Sequence, residues 1–229
     1  MQKIFLVSDG WEKTHKGAGG AFLEAFIPPG AGNPGNLRLF QEQELAAIID
    51  KNSSKSRDDI RSHPTFQAYE KYYKTFRKTY HVLLQFQSLV LERKPFPETP
   101  PMVRAMFLAE MKTFLLTAVH EMEATSLPVT LDSAAGGEEY CSMGGTARKL
   151  KAGDMFMSDS RGIISSILYG PDERTKVTDR TSHALFTVYI PSGVGEKEPQ
   201  EHLDFISEAL MSFCPETEIR SRGILRNSL

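Results

Sequence analysis

Apolar runs of strand length alternate with polar loops most clearly between Asp154 and Ile190. The runs are Met155–Met157, Ile163–Leu168 and Ala184–Ile190, parted by a Ser-Asp-Ser-Arg-Gly turn and by the loop Tyr169–Lys176. This pattern predicts an antiparallel sheet whose rim carries the charged and hydroxyl side chains. Upstream, Val129–Leu131, Glu139–Met143 and Arg148–Leu150 are short runs punctuated by Gly136-Gly137, Gly144-Gly145 and Gly153, as in hairpins. Nearer the N-terminus, Ile4–Ser8 and Ala21–Ile27 predict strands, with Asp9–Gly20 as a polar, Gly-rich loop between them. Leu37, Phe40, Leu45, Ile48 and Ile49 stand among charges and predict an amphipathic helix over Leu37–Asp50, followed by a surface connection, Lys51–Asp59.

Ser62-His63-Pro64 predicts a helix start, with Ser62 as cap and Pro64 in the first turn. Phe66, Tyr69, Tyr73, Phe76 and Tyr80 follow at spacings of three and four, which puts them on one helical face. Lys71, Lys74 and Lys78 recur on another, with Arg77 nearby. An aromatic core stripe backed by a solvated basic face is the plain outcome of this pattern; a local phosphate-binding patch is the functional one. Val82–Glu92 continues as helix, Pro95–Pro101 is a connection, and Met102–Val119 is a buried helix that brings His120 to its end. Glu201–Phe213 is a closing helix, and Ile219–Leu229 is a loosely held tail.

The 229 residues, 40% hydrophobic and 24% charged, support a sizeable core in one α+β domain spanning 1–229. A formal net charge of -2 carries no whole-chain signal for nucleic acid, so DNA is not expected as a partner and RNA needs a local basic patch. No apolar run approaches the roughly 18 residues of a membrane span, so no membrane partner is expected. The start, MQKIFLVSDGWEK, lacks the form of a secretory signal, and the two cysteines suit a reducing cytoplasm. Cys141 is expected as a small buried hydrophobe.

Without Cys-x-x-Cys or His-Glu-x-x-His, neither a metal nor another cofactor is expected. Gly17-Ala18-Gly19-Gly20 lacks the spacing of a nucleotide loop, and no Gly-x-Ser-x-Gly elbow occurs. His120 has two open roles: a hydrogen-bonded histidine at a helix end, or a pocket group that contacts substrate or water. Asp154, Asp159, Asp172, Glu173 and Asp179 punctuate the loops and are expected to be mostly turn formers.

The ordered set Met157-Ser158-Asp159, Ser160-Arg161-Gly162, Ile163–Leu168, Tyr169-Gly170-Pro171-Asp172, Glu173–Arg180, Thr181, Ala184–Ile190 resembles the tRNA-editing (B-three/B-four) domain of the phenylalanyl-tRNA synthetase β subunit. It looks closer to free-standing relatives of that domain. Upstream, Lys78-Thr79-Tyr80-His81 and Met102–Glu123 resemble those relatives too. The resemblance covers 64–213, with 1–63 as an N-terminal strand and helix extension packed on it. It implies an antiparallel sandwich-like core with helices outside, and hydrolysis of the ester of a mischarged aminoacyl-tRNA by a trans-acting deacylase. Editing of this kind exists because a pocket rejects a near-isosteric amino acid too weakly. A non-catalytic tRNA-binding module and a small-molecule binder or hydrolase are the alternatives. The expected catalytic set is His120, Glu110 and Asp159. Tyr140, Ser165, Ser166, Tyr169, Gly170 and Asp172 would shape the pocket, and Lys71, Lys74, Arg77 and Lys78 would meet tRNA phosphate. Two positions depart from the pattern: a gapless match puts Ala118 where the family has a pocket His, and Gly170-Pro171-Asp172 replaces a Gly-Gly-Glu end. The oligomeric state is left open.

Overall fold

Residues 4–228 are described by a computed structural model; the start of the N-terminal segment and the last residue of the expected tail lie outside the described residues. Two sheets lie face to face. The first runs, in spatial order, β1 (Phe5–Val7), β4 (Val129–Ser133), β7 (Met155–Asp159), β8 (Gly162–Ser166) and β9 (Gly170–Pro171). The second runs β11 (Glu218–Arg226), β2 (Gly19–Phe26), β10 (His183–Ile190) and β3 (Leu116–Glu121). A separate hairpin joins β5 (Glu139–Ser142) to β6 (Thr146–Lys149). The sheets approach closely at Gly20, where an added Cβ would sit 2.8 Å from Leu131 Cδ2 and 3.2 Å from Phe5 Cζ. On the outer side of the second sheet pack α2 (Pro34–Lys51), α6 (Pro101–Thr113) and α7 (Glu198–Phe213). The result is the expected α+β sandwich with helices outside. One pairing departs from a wholly antiparallel sheet: β1 runs parallel to β4, with Phe5 opposite Val129.

The segment before residue 63 is woven into both sheets. β2 lies between β10 and β11, and β1 forms an edge of the first sheet. The expected loop Asp9–Gly20 begins with a helix, α1 (Asp9–Thr14), because Ser8 Oγ accepts from the Trp11 amide at 3.0 Å and acidic residues fill the first turn. The expected connection Lys51–Asp59 holds the start of α3 (Arg57–Arg61), which a Ser56–Asp59 capping box initiates. In α4 (Pro64–Thr75) the cap is His63, whose Nδ1 accepts from Thr65 N at 3.3 Å, while the Ser62 hydroxyl donates to Asp59 O.

α4 stops at Thr75 and the backbone turns at Arg77, φ 56°. Tyr80 is therefore off the α4 stripe; it precedes α5 (His81–Phe86) and folds back onto the same core. α5 runs into one wider helical turn, Gln87–Leu91.

The largest correction concerns Met102–Val119. Its helix ends at Thr113, Phe114 adopts a left-handed φ of 65°, and Leu116 starts β3. An apolar run satisfies a buried helix and a buried strand equally; pairing with β10 decides for strand here. The expected loose tail is also ordered: β11 pairs with β2 from Glu218 to Arg226. Asn227 then donates to the carbonyls of Glu12 and His15 at 2.6 and 3.0 Å.

Candidate functional site

α5, α6, β3 and the β8–β9 turn enclose a cavity of about 440 Å³. Val103, Met106, Leu116, Val119 and Val177 form apolar walls, and the exposed His81 and Met143 border it. Polar side chains also line it: Gln85, Thr99, Glu110, Thr117, Ser166 and Tyr189, of which Gln85 Oε1 and Thr99 Oγ1 are buried without a hydrogen-bond partner among the described residues.

The reversal at Phe114 places Glu110, in the last turn of α6, beside Thr117 of β3. Glu110 Oε1 accepts from the Thr117 amide at 2.9 Å. The residue is 3% exposed, and burial pushes its carboxyl up to about 8, with the Thr117 N–H pulling only partly the other way. Glu110 is therefore an uncharged acid at neutral pH. Behind it, His202 bridges Thr113 and Thr117, each at 2.6 Å. Thr113 donates to Ala109 O, so its oxygen is left to accept from His202 Nδ1–H, and Nε2 accepts the Thr117 hydroxyl. Burial holds this imidazole down to about 3, hence neutral.

At the other wall, Tyr189 Oη and Ser165 Oγ share a hydrogen bond of 2.7 Å. Ser166 donates to Asp154 Oδ2 at 2.7 Å and Tyr72 to Oδ1 at 3.2 Å. Burial raises Asp154 to about 7 against the pull of those two hydroxyls. The Tyr140 hydroxyl donates to Gly170 O at 2.7 Å and so fixes the turn that borders the cavity, where Gly170 takes a φ of 80°.

A second polar cluster gathers three other expected residues. The Arg174 guanidinium grips both oxygens of Asp159, at 2.9 and 3.0 Å, and its Nε lies 3.6 Å from Asp172 Oδ2. Burial alone would raise the Asp159 carboxyl; the Ser126 amide, Arg174 and the Arg161 amide outweigh it and hold it low. Burial raises Asp172, against donation from Thr175. The Thr175 hydroxyl donates to Asp172, and its oxygen meets His120 Nδ1 at 2.8 Å. His120 Nε2 faces Thr187 Oγ1 at 3.3 Å. Its imidazole is wholly buried and held down to about 3 by burial, then by nearby Arg174.

Of the expected catalytic set, then, the fold separates Glu110, in the cavity lining, from His120 and Asp159, which meet in the Arg174–Thr175 network outside it. His120 is in a strand, with both ring nitrogens partnered, rather than at a helix end. Among expected pocket residues, Ser166 and Gly170 line the cavity; Ser165, Tyr140 and Tyr169 stand behind or beside that wall. Asp159 and Asp172 accept from the Arg161 and Thr175 amides as turn formers do, and both are also buried network members; Asp154 is buried among Ser166 and Tyr72 instead. Cys141 is exposed rather than buried.

The expected basic stripe is broken by the end of α4. Lys74 is 3.3 Å from Glu70, which also binds Arg61; Arg77 and Lys78 lie beyond the helix. Lys71 lines a different hollow, with Lys16 and Tyr72. Thr117, Tyr189 and Arg174 are residues the sequence did not single out. A tyrosine inside the apolar run Ala184–Ile190 was the available signal for Tyr189. Among the described residues no group of three or more His, Cys, Asp or Glu is placed to hold a metal, and no helix is long and apolar enough to cross a membrane.

No family model and no curated protein matches the chain. Among solved structures, an N-terminal fragment of the phenylalanyl-tRNA synthetase β subunit from Pyrococcus horikoshii is similar at a TM-score of 0.46 and 13% identity. The alignment covers 98% of this chain and 51% of that one, so this chain spans about half the fragment's length.

Proposed function

We propose that the cavity takes the aminoacyl end of a mischarged tRNA and that the ester is hydrolysed there. The observation that carries this is Glu110, an uncharged acid buried on the wall of a mainly apolar cavity and the one carboxyl among its lining residues. An entering α-ammonium group would favour the carboxylate and be held by it, while the apolar walls take the amino-acid side chain. Water would attack the ester carbonyl carbon, the bond from that carbon to the ribose oxygen would break, and the ribose would take up a proton as its hydroxyl. The products are a free amino acid and an uncharged tRNA end. Tyr189, which lines the cavity and shares a hydrogen bond with Ser165, would be a donor for the developing negative charge on the carbonyl oxygen. The ester is labile, so positioning and one such donor supply a useful share of the acceleration.

Binding without turnover is the second reading. It is favoured by the enclosure of the cavity in apolar residues and by the engagement of Lys74 with Glu70. A panel of aminoacyl-tRNAs, assayed for loss of the ester bond, separates the two. Faster hydrolysis of at least one mischarged species, abolished by Glu110→Gln, is the expected result. A flat panel removes the deacylase proposal, and calorimetry with the corresponding free amino acids then tests the binder.

A further inference from the structure

Lys78, Arg148 and Lys151 converge from the segment after α4, from β6 and from the β6–β7 connection. Lys78 Nζ stands 4.2 Å from the centroid of the Tyr169 ring, and Arg148 Cζ stands 5.7 Å from the same centroid. Lys151 is anchored by donation to Phe76 O at 2.9 Å, and Arg148 by donation to Ser142 Oγ at 3.2 Å. Among the described residues no carboxylate pairs with any of the three within 4.0 Å, whereas neighbouring Lys149 has Glu139 at 3.8 Å. The carboxyl that attracts Lys78 is Asp154, already engaged by Ser166 and Tyr72. Burial holds the Lys78 ammonium below its ordinary range, and repulsion from Lys151 and Arg148 adds to that. Three gathered cations with no matching charge are electrostatically costly unless an anion joins them.

The cluster also has a defined position. Tyr169 precedes Gly170, a cavity-lining residue whose carbonyl Tyr140 holds. Arg148 belongs to the hairpin whose turn carries Met143 to the cavity border.

We propose that Lys78 and Arg148, over Tyr169, together with Lys151 on the neighbouring Phe76 carbonyl, form the binding site for a backbone phosphodiester of the RNA strand whose acylated end enters the cavity. This rests on the function proposed above and moves the phosphate contact from one helix face to a site built by three segments. Lys78 alone carries over from the expected stripe. The chemistry is three hydrogen-bonding cations for one or two phosphates, with no base readout.

The test is a titration of the full chain with a short, unacylated single-stranded RNA between 50 and 200 mM salt. Lys78→Gln, Arg148→Gln and Lys151→Gln keep most of each stem's packing. Each is expected to weaken binding several-fold, and the log–log salt slope should fall by about 0.7 for every phosphate that is no longer neutralised. Lys149→Gln should match the wild type. A strand with neutral methylphosphonate linkages should bind weakly, and inorganic phosphate should not displace the RNA at comparable concentration. Wild-type affinity and slope in all three variants would overturn the site, as would no RNA binding by the wild type. Displacement by equimolar phosphate would reassign it to the free anion. Ester hydrolysis across the aminoacyl-tRNA panel is scored separately. If that panel is flat while the RNA titrations behave as expected, the deacylase proposal falls and the phosphate site stands.

Discussion

Tyr69 and Tyr80 stack with ring centroids 4.2 Å apart and planes within 5° of parallel. One comes from α4 and the other from the residue just before α5, and each spends its hydroxyl on backbone. Tyr80 donates to Phe114 O at 2.8 Å; Tyr69 donates to Tyr189 O and accepts from Leu116 N at 2.8 Å. The stack thus holds the α6–β3 reversal against β10. Tyr80→Ala should cost about 3–5 kcal/mol by analogy with other large aromatic truncations. Tyr80→Phe, which keeps the stack but leaves the Phe114 carbonyl without its donor, should cost about 1–3 kcal/mol. Urea unfolding of the three proteins gives both values, and equal losses in the two variants would show that the hydroxyl, not the stack, matters.

Glu110 makes stability fall as pH rises. Its carboxyl ionises near 4.5 in the unfolded chain and near 8 in the folded protein. Below the lower value both states hold the proton and there is no penalty. Above it the unfolded state ionises first, and the loss grows until the folded carboxyl also titrates. Across that window the limiting cost is about 5 kcal/mol. Glu110→Gln should therefore gain stability relative to the wild type between pH 5 and 8 and show no such gain at pH 4. Melting temperatures of both proteins across pH 4–9 provide the comparison.

The buried imidazoles act from the other side. His120 and His202 are held near 3 in the folded protein, against an ordinary 6.5. Below 6.5 the unfolded chain takes up protons that the folded one refuses, so stability falls with falling pH, by about 2 kcal/mol for each histidine at pH 5. His202→Gln should be less stable at pH 7, through loss of the Thr113–Thr117 bridge, yet lose less between pH 7 and pH 5 than the wild type. Denaturation midpoints at those two pH values decide it.

Much of this was legible in the sequence. Met155–Met157 and Ala184–Ile190 are strands because short apolar runs between strong turn residues have few other options. The α6–β3 switch was not legible, since Met102–Val119 is apolar throughout and its strand half is set by β10, far along the chain. β11 was missed because its alternation is half-buried and rich in arginine, and its partner β2 lies at the opposite end. The candidate site divides in the same way. Glu110 is conspicuous as an acid in an apolar run, and it lines the cavity. The burial of Asp154 and Asp159 was hidden, because each depends on partners from another segment, Tyr72 for the first and Ser126 with Arg174 for the second, whereas Asp172 is held by its near neighbours Arg174 and Thr175.

Asp159 gives a further test of that division. Arg174 is the cation on its carboxylate, which is almost wholly withdrawn from solvent. Arg174→Met removes the charge and leaves the carboxylate with only the Ser126 and Arg161 amides. Removing one partner of a buried pair costs about 3–5 kcal/mol. The double variant Arg174→Met/Asp159→Asn should recover part of that loss. A double-mutant cycle by urea unfolding measures the coupling, and additive losses would mean the pair is not coupled.

The position of β2 bears on how the protein is made. Both of its neighbours, β10 and β11, come from the far end of the chain. At translation rates of about 5–20 residues per second, β2 emerges roughly 10–40 s before β11 can join it. For that interval a strand with six of its eight residues buried in the finished protein has both edges open. A nascent chain stalled before residue 183 would present that strand to any other open edge, so a ribosome-bound chaperone that shields the first 30 or so residues should raise the yield of folded protein more than one acting after release.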